Sequence, residues 1–427
     1  MSPYTNLSKE ELQNEFEHVR IEIERSKELG LNLDISRGKP GAEQLSLSSE
    51  LLSVLRSSED CFDGTIDARN YGTLTGLPSA KSFFADLLGT NPEQVFVGGN
   101  ASLQLMYDLI AKAYTHGLKN STSPWSRKGN VRFLCPAPGY DRHFKISESF
   151  GMEMITVAMT ENGPDMDAVE QWVKDPDVLG MWCCPKFSNP DGIIYSDETI
   201  ERIAALHPAA PDFTVIWDNA YCVHEFDGPF IPFPDILSLA EKHGNPDMVY
   251  EFTSTSKITY PGAGISCMAS SKENIEYITK LTSVQIISYD KVNQLRHVRY
   301  LKNKENVLKL MQKQAAILKP RFDAVLYMLE EEIGSLGIAR WTKPKGGYFI
   351  SLYAMNGTAK RTVSLVKELG VTMTGAGATY PYGKDPFDSN IRIAPTNAST
   401  EEINQAIRIL CLCLRYSALE QLLKNLL

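Results

Sequence analysis

The segment TSTSKITYPGAG at 253–264 sets a single lysine, Lys257, among hydroxyl residues and glycines directly after an apolar run, MVYEF at 248–252, that reads as a buried strand. Lysine is rarely buried without a partner, because taking an ammonium out of water costs several kcal/mol or more. Four further stretches carry groups suited to acid–base, hydrogen-bonding or anion-binding chemistry. WDNAY (217–221) ends a strand on Asp218 with Tyr221 three residues on, and KFSNPDG (186–192) presents Asn189 in a turn. GGNAS (98–102) opens a helix with small residues, and IRIAPTN (391–397) carries Arg392 on a strand. Each alone has an ordinary explanation: a helix cap, a stock turn, a weak phosphate signal, a locally paired arginine. Their joint order and spacing is what needs an account.

The elements that must position these residues are legible as patterns. Ser8 with Glu11 has the form of a capping box, and Leu12, Phe16, Val19 and Ile23 then form one stripe of a long helix. EQVFVGG (93–99), VRFLCPAPG (131–139), LGMWCCP (179–185), FTVIWDN (213–219), MVYEFTS (248–254) and ISCMAS (265–270) read as strands with buried faces. Helical patterns lie between them, for example at 165–174, where Asp167 and Glu170 suit a helix start. Apolar strands separated by helices predict a mostly parallel sheet covered on both faces, with ligands beyond the carboxyl ends of the strands. The polar residues singled out above fall at such ends. After about residue 296 the pattern changes to a long helix over 297–332, an antiparallel strand pair within 341–354, and a final helix opened by Ser399 and Glu402. The expected organisation is an N-terminal helix and arm (1–59) that belongs with a smaller α+β domain, a large domain (60–295), and the C-terminal part of the smaller domain (296–427).

Composition narrows the function classes. A net charge of −9 argues against nucleic acid as the main partner, since phosphate backbones call for clustered Lys and Arg. No apolar run approaches the roughly 20 residues that span a bilayer, and the N-terminus lacks the apolar centre of a signal peptide. A cytoplasmic location without membrane contact is the expectation. The eight cysteines form no C-x-x-C pair and sit mostly in strand-like runs, which reads as buried free thiols. The seven histidines are scattered, and no metal site is expected.

Taken together, Asp-x-x-Tyr at 218–221, Ser-x-x-Lys ending at Lys257, the preceding Asn-Pro-x-Gly at 189–192 and the Ile-Arg-Ile strand around Arg392 resemble the active-site series of the class I aminotransferases over essentially the whole chain. These are pyridoxal-phosphate enzymes of fold type I, and the chain resembles a divergent bacterial aspartate aminotransferase subgroup near the MocR-like proteins more than the typical members. The resemblance implies an α/β large domain with a mostly parallel seven-stranded sheet and a smaller α+β domain. It implies pyridoxal 5′-phosphate as cofactor and Lys257 as the lysine of the Schiff base, which explains an amine in a buried setting. The freed Lys257 amine then carries the proton between substrate Cα and cofactor, acting as base and acid. Asp218 pairs with the ring nitrogen, and His143 orients it. Tyr221 and Asn189 donate to the phenolate oxygen, and Tyr140 stacks on the ring. Asn100, Ala101 and Ser102 at a helix start, with Ser254 and Ser256, hold the phosphate. Tyr71 reaches the neighbouring subunit's phosphate, so a homodimer with active sites at the subunit interface is implied. Arg392 grips the substrate α-carboxylate, with the main chain of Gly38 beside it.

Two departures stand out. The family's phosphate-binding arginine, about eight residues after the lysine, is missing from ITYPGAGIS. The partner-subunit arginine that reads a distal carboxylate in aspartate-specific members corresponds here to Gln285. Arg142, two residues beyond Tyr140, is the expected replacement, with Arg37 beside Gly38 as the other candidate. The expected reaction moves the amino group of aspartate or glutamate to a 2-oxo acid such as 2-oxoglutarate. An aromatic or broad-specificity aminotransferase, or a lyase or decarboxylase on the same scaffold, is the alternative. A reading from another class is a transcription regulator whose aminotransferase-like domain senses ligand. Such regulators carry an N-terminal DNA-binding domain, whereas this acidic chain is expected to open directly on the catalytic fold.

Overall fold

Several helices begin at capping residues. In the computed structural model, which describes residues 3–426, Ser8 Oγ accepts from the Glu11 N–H at 3.3 Å while the Glu11 carboxylate accepts from the Ser8 N–H at 2.7 Å, and the helix Lys9–Lys27 follows. Ser399 and Glu402 repeat this reciprocal pair at the start of the helix Thr400–Asn425. Each cap is worth about 1 kcal/mol. The helix expected over 165–174 is Met166–Trp172, and Asp165 caps it by accepting from the N–H groups of Asp167 and Ala168.

The main sheet has eight strands: β1 (Val95–Val97), β2 (Arg132–Ala137), β3 (Glu153–Thr160), β4 (Gly163–Pro164), β5 (Val178–Cys183), β6 (Thr214–Asp218), β7 (Val249–Ser254) and β8 (Ser266–Ala269). Their spatial order is β1-β8-β7-β6-β5-β2-β3-β4. Strands β7, β6, β5, β2 and β3 run parallel, β8 runs antiparallel between β7 and β1, and two-residue β4 pairs antiparallel with β3 at the edge. The eighth strand is this short edge piece, one more than the seven expected. Every residue of β5, β6 and β7 is buried, as strands covered on both faces require.

A second apolar core lies apart from the sheet. The helix Lys9–Lys27 lays Leu12, Val19 and Ile23 into it, and the helix Thr400–Asn425 contributes Ile403, Ile407, Leu410 and Leu414. Three antiparallel strands, β9 (Ala339–Trp341), β10 (Ile350–Ala354) and β11 (Asn390–Ile393), complete it. The strand pair expected within 341–354 is therefore a three-stranded sheet whose third member comes from much later in the chain. The single helix expected over 297–332 is two, Lys291–Leu301 and Lys304–Ile333, parted at Lys302, whose φ of 64° is not helical. The second of these spans both cores, with Val307, Leu310 and Met311 in the first and Leu318, Phe322, Val325 and Leu329 in the second. Among the described residues no helix is long and apolar enough to cross a membrane, all eight cysteines are free, and no cluster of metal-ligating side chains occurs.

Packing at the sheet centre leaves no room for a methyl group at Gly180 in β5. A Cβ there would stand 2.3 Å from Phe133 Cε2 and 2.6 Å from the Thr214 carbonyl oxygen, the latter being backbone that cannot swing away. Gly180→Ala is expected to lower stability by about 1–3 kcal/mol, read as a fall in the denaturant midpoint at unchanged slope.

Candidate active site

The carboxyl ends of the parallel strands converge on one cavity of about 610 Å³. Strand β6 ends on Asp218, β2 leads into Tyr140, β5 into Cys184 and Asn189, and β7 into the turn that carries Lys257. The second core closes the other side with Phe349 and Arg392, and the segment Ser36–Lys39 forms the mouth. Of the residues expected in the site, Arg37, Gly38, Ser102, Tyr140, Arg142, Asn189, Asp218, Tyr221, Lys257 and Arg392 line this single space.

Asp218 is 3% exposed. Its Oδ2 lies 2.9 Å from His143 Nε2, and its Oδ1 is buried with no hydrogen-bond partner among the described residues. His143 is held flat against Trp182, with ring centroids 4.5 Å apart and planes 8° from parallel, and Tyr140 meets it edge-on. Trp182 is itself fixed by donating from Nε1 to Ser147 Oγ at 2.9 Å. Lys257 Nζ lies 4.8 Å from the centre of the Tyr221 ring and forms no ion pair among the described residues. Burial holds its pKa below the ordinary lysine value, while the negative charge of Asp218 works the other way. Tyr221 is buried too, which pushes its phenol well above the usual range, so it is a hydrogen-bond donor. His224, between Tyr221 and Tyr348, is pushed down to about 3 by burial and then by the Lys257 charge, and stays neutral.

Arg392, on β11, is 8% exposed. Its Nη1 donates to Asp141 Oδ1 at 2.8 Å and to Asn189 Oδ1 at 3.2 Å, its Nη2 to Thr374 Oγ1 at 3.2 Å, and its Nε finds no partner among the described residues. The guanidinium lies over the Phe349 ring at 4.8 Å. Gly38 is where that ring presses on the main chain: a Cβ there would meet Phe349 Cζ at 2.5 Å.

At the other end of the cavity, the helix Ser102–Thr115 starts after Ala101 with no side-chain cap, so its first N–H groups are free to meet an anion. Ser256 Oγ donates to the Asn100 carbonyl at 3.0 Å, and Asn100 Nδ2 to the Pro261 carbonyl at 3.2 Å, which ties the Lys257 turn to this helix start. Ser254 Oγ accepts from the Ser256 N–H at 3.4 Å. Ile265, eight residues after Lys257, is buried.

Two positions tied by the resemblance to a neighbouring subunit lie away from this cavity. Tyr71 is 80% exposed and does not line the cavity, on a loop pinned by Lys291 Nζ, which donates to the carbonyls of Asn70 and Gly72. Gln285 is exposed and accepts from Lys112 Nζ at 2.9 Å. Conversely, Lys39, Asp141, Phe349 and Thr374 reach the cavity without having been expected there. Lys39 and Asp141 directly flank singled-out residues, in SRGKPG and GYDRHF, and that adjacency was the available signal.

A family model described as aspartate amino-transferase matches residues 7–425. The chain belongs to that family. It is 45% identical over 405 residues to an aspartate aminotransferase of Corynebacterium glutamicum, covering 95% of this chain and 94% of the relative. It is 47% identical over 396 residues to a putative aminotransferase of Mycolicibacterium smegmatis, covering 92% of each. The crystal structure of an aspartate transaminase from Corynebacterium glutamicum superimposes with a TM-score of 0.95 at 44% identity, covering 97% of this chain and 98% of that one. This aminotransferase therefore acts on amino acids and 2-oxo acids and uses pyridoxal 5′-phosphate. The cavity's donor set fits that cofactor. The free Asp218 Oδ1 suits a protonated ring nitrogen, the uncapped helix start suits a phosphate, and Lys257 offers an amine that no carboxylate holds.

Beside Asp218, Asn219 Nδ2 donates to Glu251 Oε1 at 2.8 Å, and burial raises the Glu251 carboxyl to about 8. A carboxyl whose folded pKa lies above its unfolded value of 4.5 keeps its proton longer in the folded state, so its contribution favours folding most at low pH and is lost as pH rises from 4.5 to about 8. Glu251→Gln is expected to flatten the fall in stability over that window, measured by denaturant titrations at a series of pH values.

Proposed function

We propose that this aminotransferase takes the amino group of an acidic amino acid, aspartate or glutamate, and delivers it to a 2-oxo acid such as 2-oxoglutarate. The observation that carries this reading is charge. In a protein of net charge −9, Arg37, Lys39 and Arg142 line the same cavity as Arg392, and none of the three forms an ion pair among the described residues. With Lys257 given to the cofactor, these four cations outnumber the cavity's two carboxylates, Asp141 and Asp218, and suit a ligand with two carboxylates. An exposed ion pair is worth only about 0–1 kcal/mol, but cofactor and substrate would exclude water here and raise its worth. The relatives named as aspartate aminotransferases support the same choice.

In this reading Arg392 holds the α-carboxylate, with Gly38 main chain beside it, and Arg142 reads the distal carboxylate, with Arg37 at the mouth. Bound in the cavity, pyridoxal phosphate would supply the electron sink that stabilises a carbanion at the substrate Cα. Lys257 would hold the cofactor through its amine and, once the substrate's amine has displaced it, take the Cα proton and return it, a role suited to an amine whose pKa burial has lowered. Asp218, fixed by His143, would keep the ring nitrogen protonated. Tyr221 and Asn189 would donate to the ring oxygen, and Tyr140 would cover the ring face. Asn100, Ala101, Ser102, Ser254 and Ser256 would hold the phosphate, and in a homodimer Tyr71 of each chain would complete the phosphate site of the other. The exposure of Tyr71 supports its use by a second chain. The enzyme is read as cytoplasmic.

Leu103, Met106 and Met373 give the cavity an apolar wall that would also accept an aromatic side chain. Half-reactions with a panel of amino acids, followed by the cofactor's absorbance, separate the two. Aspartate and glutamate are expected to react at the lowest concentrations, and no spectral change with either would contradict the acidic substrate. Arg142→Met is expected to raise the KM for aspartate by roughly tenfold or more (about 1.4 kcal/mol) and to leave amino acids without a distal carboxylate nearly unchanged. An equal loss with both kinds would rule Arg142 out as the reader. Asp218→Ala is expected to lower kcat by roughly a hundredfold or more, the scale of a broken buried charge pair at about 3–5 kcal/mol, seen in steady-state rates on cofactor-saturated enzyme.

A further inference from the structure

We propose that Asp141 is an internal, displaceable carboxylate that occupies Arg392 until substrate arrives, and so sets substrate affinity. The inference rests on the reading of Arg392 as the α-carboxylate grip. Asp141 Oδ1 sits 2.8 Å from Arg392 Nη1, across 251 residues of chain. The other oxygens on that guanidinium belong to neutral groups, Asn189 and Thr374. Among the described residues, Asp141 is therefore the carboxylate that balances a nearly buried cation. A buried guanidinium left without a counter-charge is costly, so this pair keeps the substrate-free site folded.

The same pair opposes binding. An α-carboxylate taken up by Arg392 brings a second negative charge beside Asp141, and like charges at such range disfavour one another. Asp141 is able to give way. It lines the cavity wall, its side chain is 28% exposed against 8% for Arg392, and it is the first residue of the helix Asp141–Ser149. A negative charge at a helix N-terminus is stabilised by the helix dipole, so Asp141 stays favourable there after turning from Arg392 toward solvent. Substrate thus exchanges one carboxylate for another. Asp141 acts through Arg392 as a positioning and affinity-setting residue, and its effect is the same for any ligand that carries an α-carboxylate.

Asp141→Asn keeps the shape and an acceptor oxygen while removing the charge. The test measures dissociation constants of maleate and propionate, carboxylates with no amino group to transfer, by titration calorimetry on wild-type and variant holoenzymes, together with Tm without ligand. Both ligands are expected to bind the variant more tightly by a similar factor, roughly tenfold, while its ligand-free Tm falls. A lower Tm with unchanged or weaker binding marks a merely structural ion pair and overturns the proposal. A gain confined to maleate overturns it too, because Asp141 would then oppose the distal carboxylate. Arg392→Gln, measured in parallel, tests the underlying reading separately: if propionate binds this variant as well as wild type, Arg392 is not the grip, whatever Asp141→Asn shows.

Discussion

A buried carboxylate needs a hydrogen-bond partner for each of its oxygens, and the site is organised around one such group, Asp218. His143 meets one oxygen of Asp218, and the other has no partner among the described residues, which suits a protonated ring nitrogen. The strand pattern makes this possible. Phe252 of β7 and Asp218 of β6 are register partners, so the parallel sheet carries Asp218 to its carboxyl edge while fully buried neighbours hold the backbone still. Trp182, one strand over on β5, then supplies the flat surface that sets the His143 ring. The packed sheet around Asp218 fixes where its carboxylate stands. That is the expected relation between a binding site and its scaffold.

The cavity belongs to both cores. Asp218, Asn189 and Lys257 come from the sheet side, Arg392 and Phe349 from the second core, and Gly38 from the N-terminal segment. The helix Lys304–Ile333 runs through both, and Gln314, between its two apolar stretches, donates to the Ile258 carbonyl at 2.8 Å and accepts from Gln44 at 2.9 Å. Buried amides thus link the peptide next to Lys257 to the N-terminal segment. Separately, the Arg392–Asn189 hydrogen bond joins the second core to the turn after β5.

Much of this was legible in the sequence because it is local. Six strands of the main sheet, the capping boxes at Ser8 and Ser399, and the fall of Lys257, Asp218, Asn189 and Tyr140 at strand ends all follow from periodicity and turn chemistry over a few residues. Strand β3 was not foreseen, since EMITVAMT mixes buried and exposed positions near the sheet edge and lacks a continuous apolar run. The break at Lys302 sits in a polar KNKEN stretch without glycine or proline to announce it. The Asp141–Arg392 pair joins residues 251 positions apart, and no spacing rule encodes such a contact. For Lys39 the one local signal was its place beside Gly38, and its reach into the cavity is set by how the N-terminal segment passes it.

The central claim is that the amine of Lys257 is the one that bonds to the cofactor's aldehyde. Borohydride reduction of the pyridoxal-phosphate-loaded protein, followed by peptide mass spectrometry, tests it most directly. The account predicts a stable phosphopyridoxyl group on the peptide containing Lys257. A label on Lys39, on Lys186 or on any other lysine in its place, or no label at all, would contradict it.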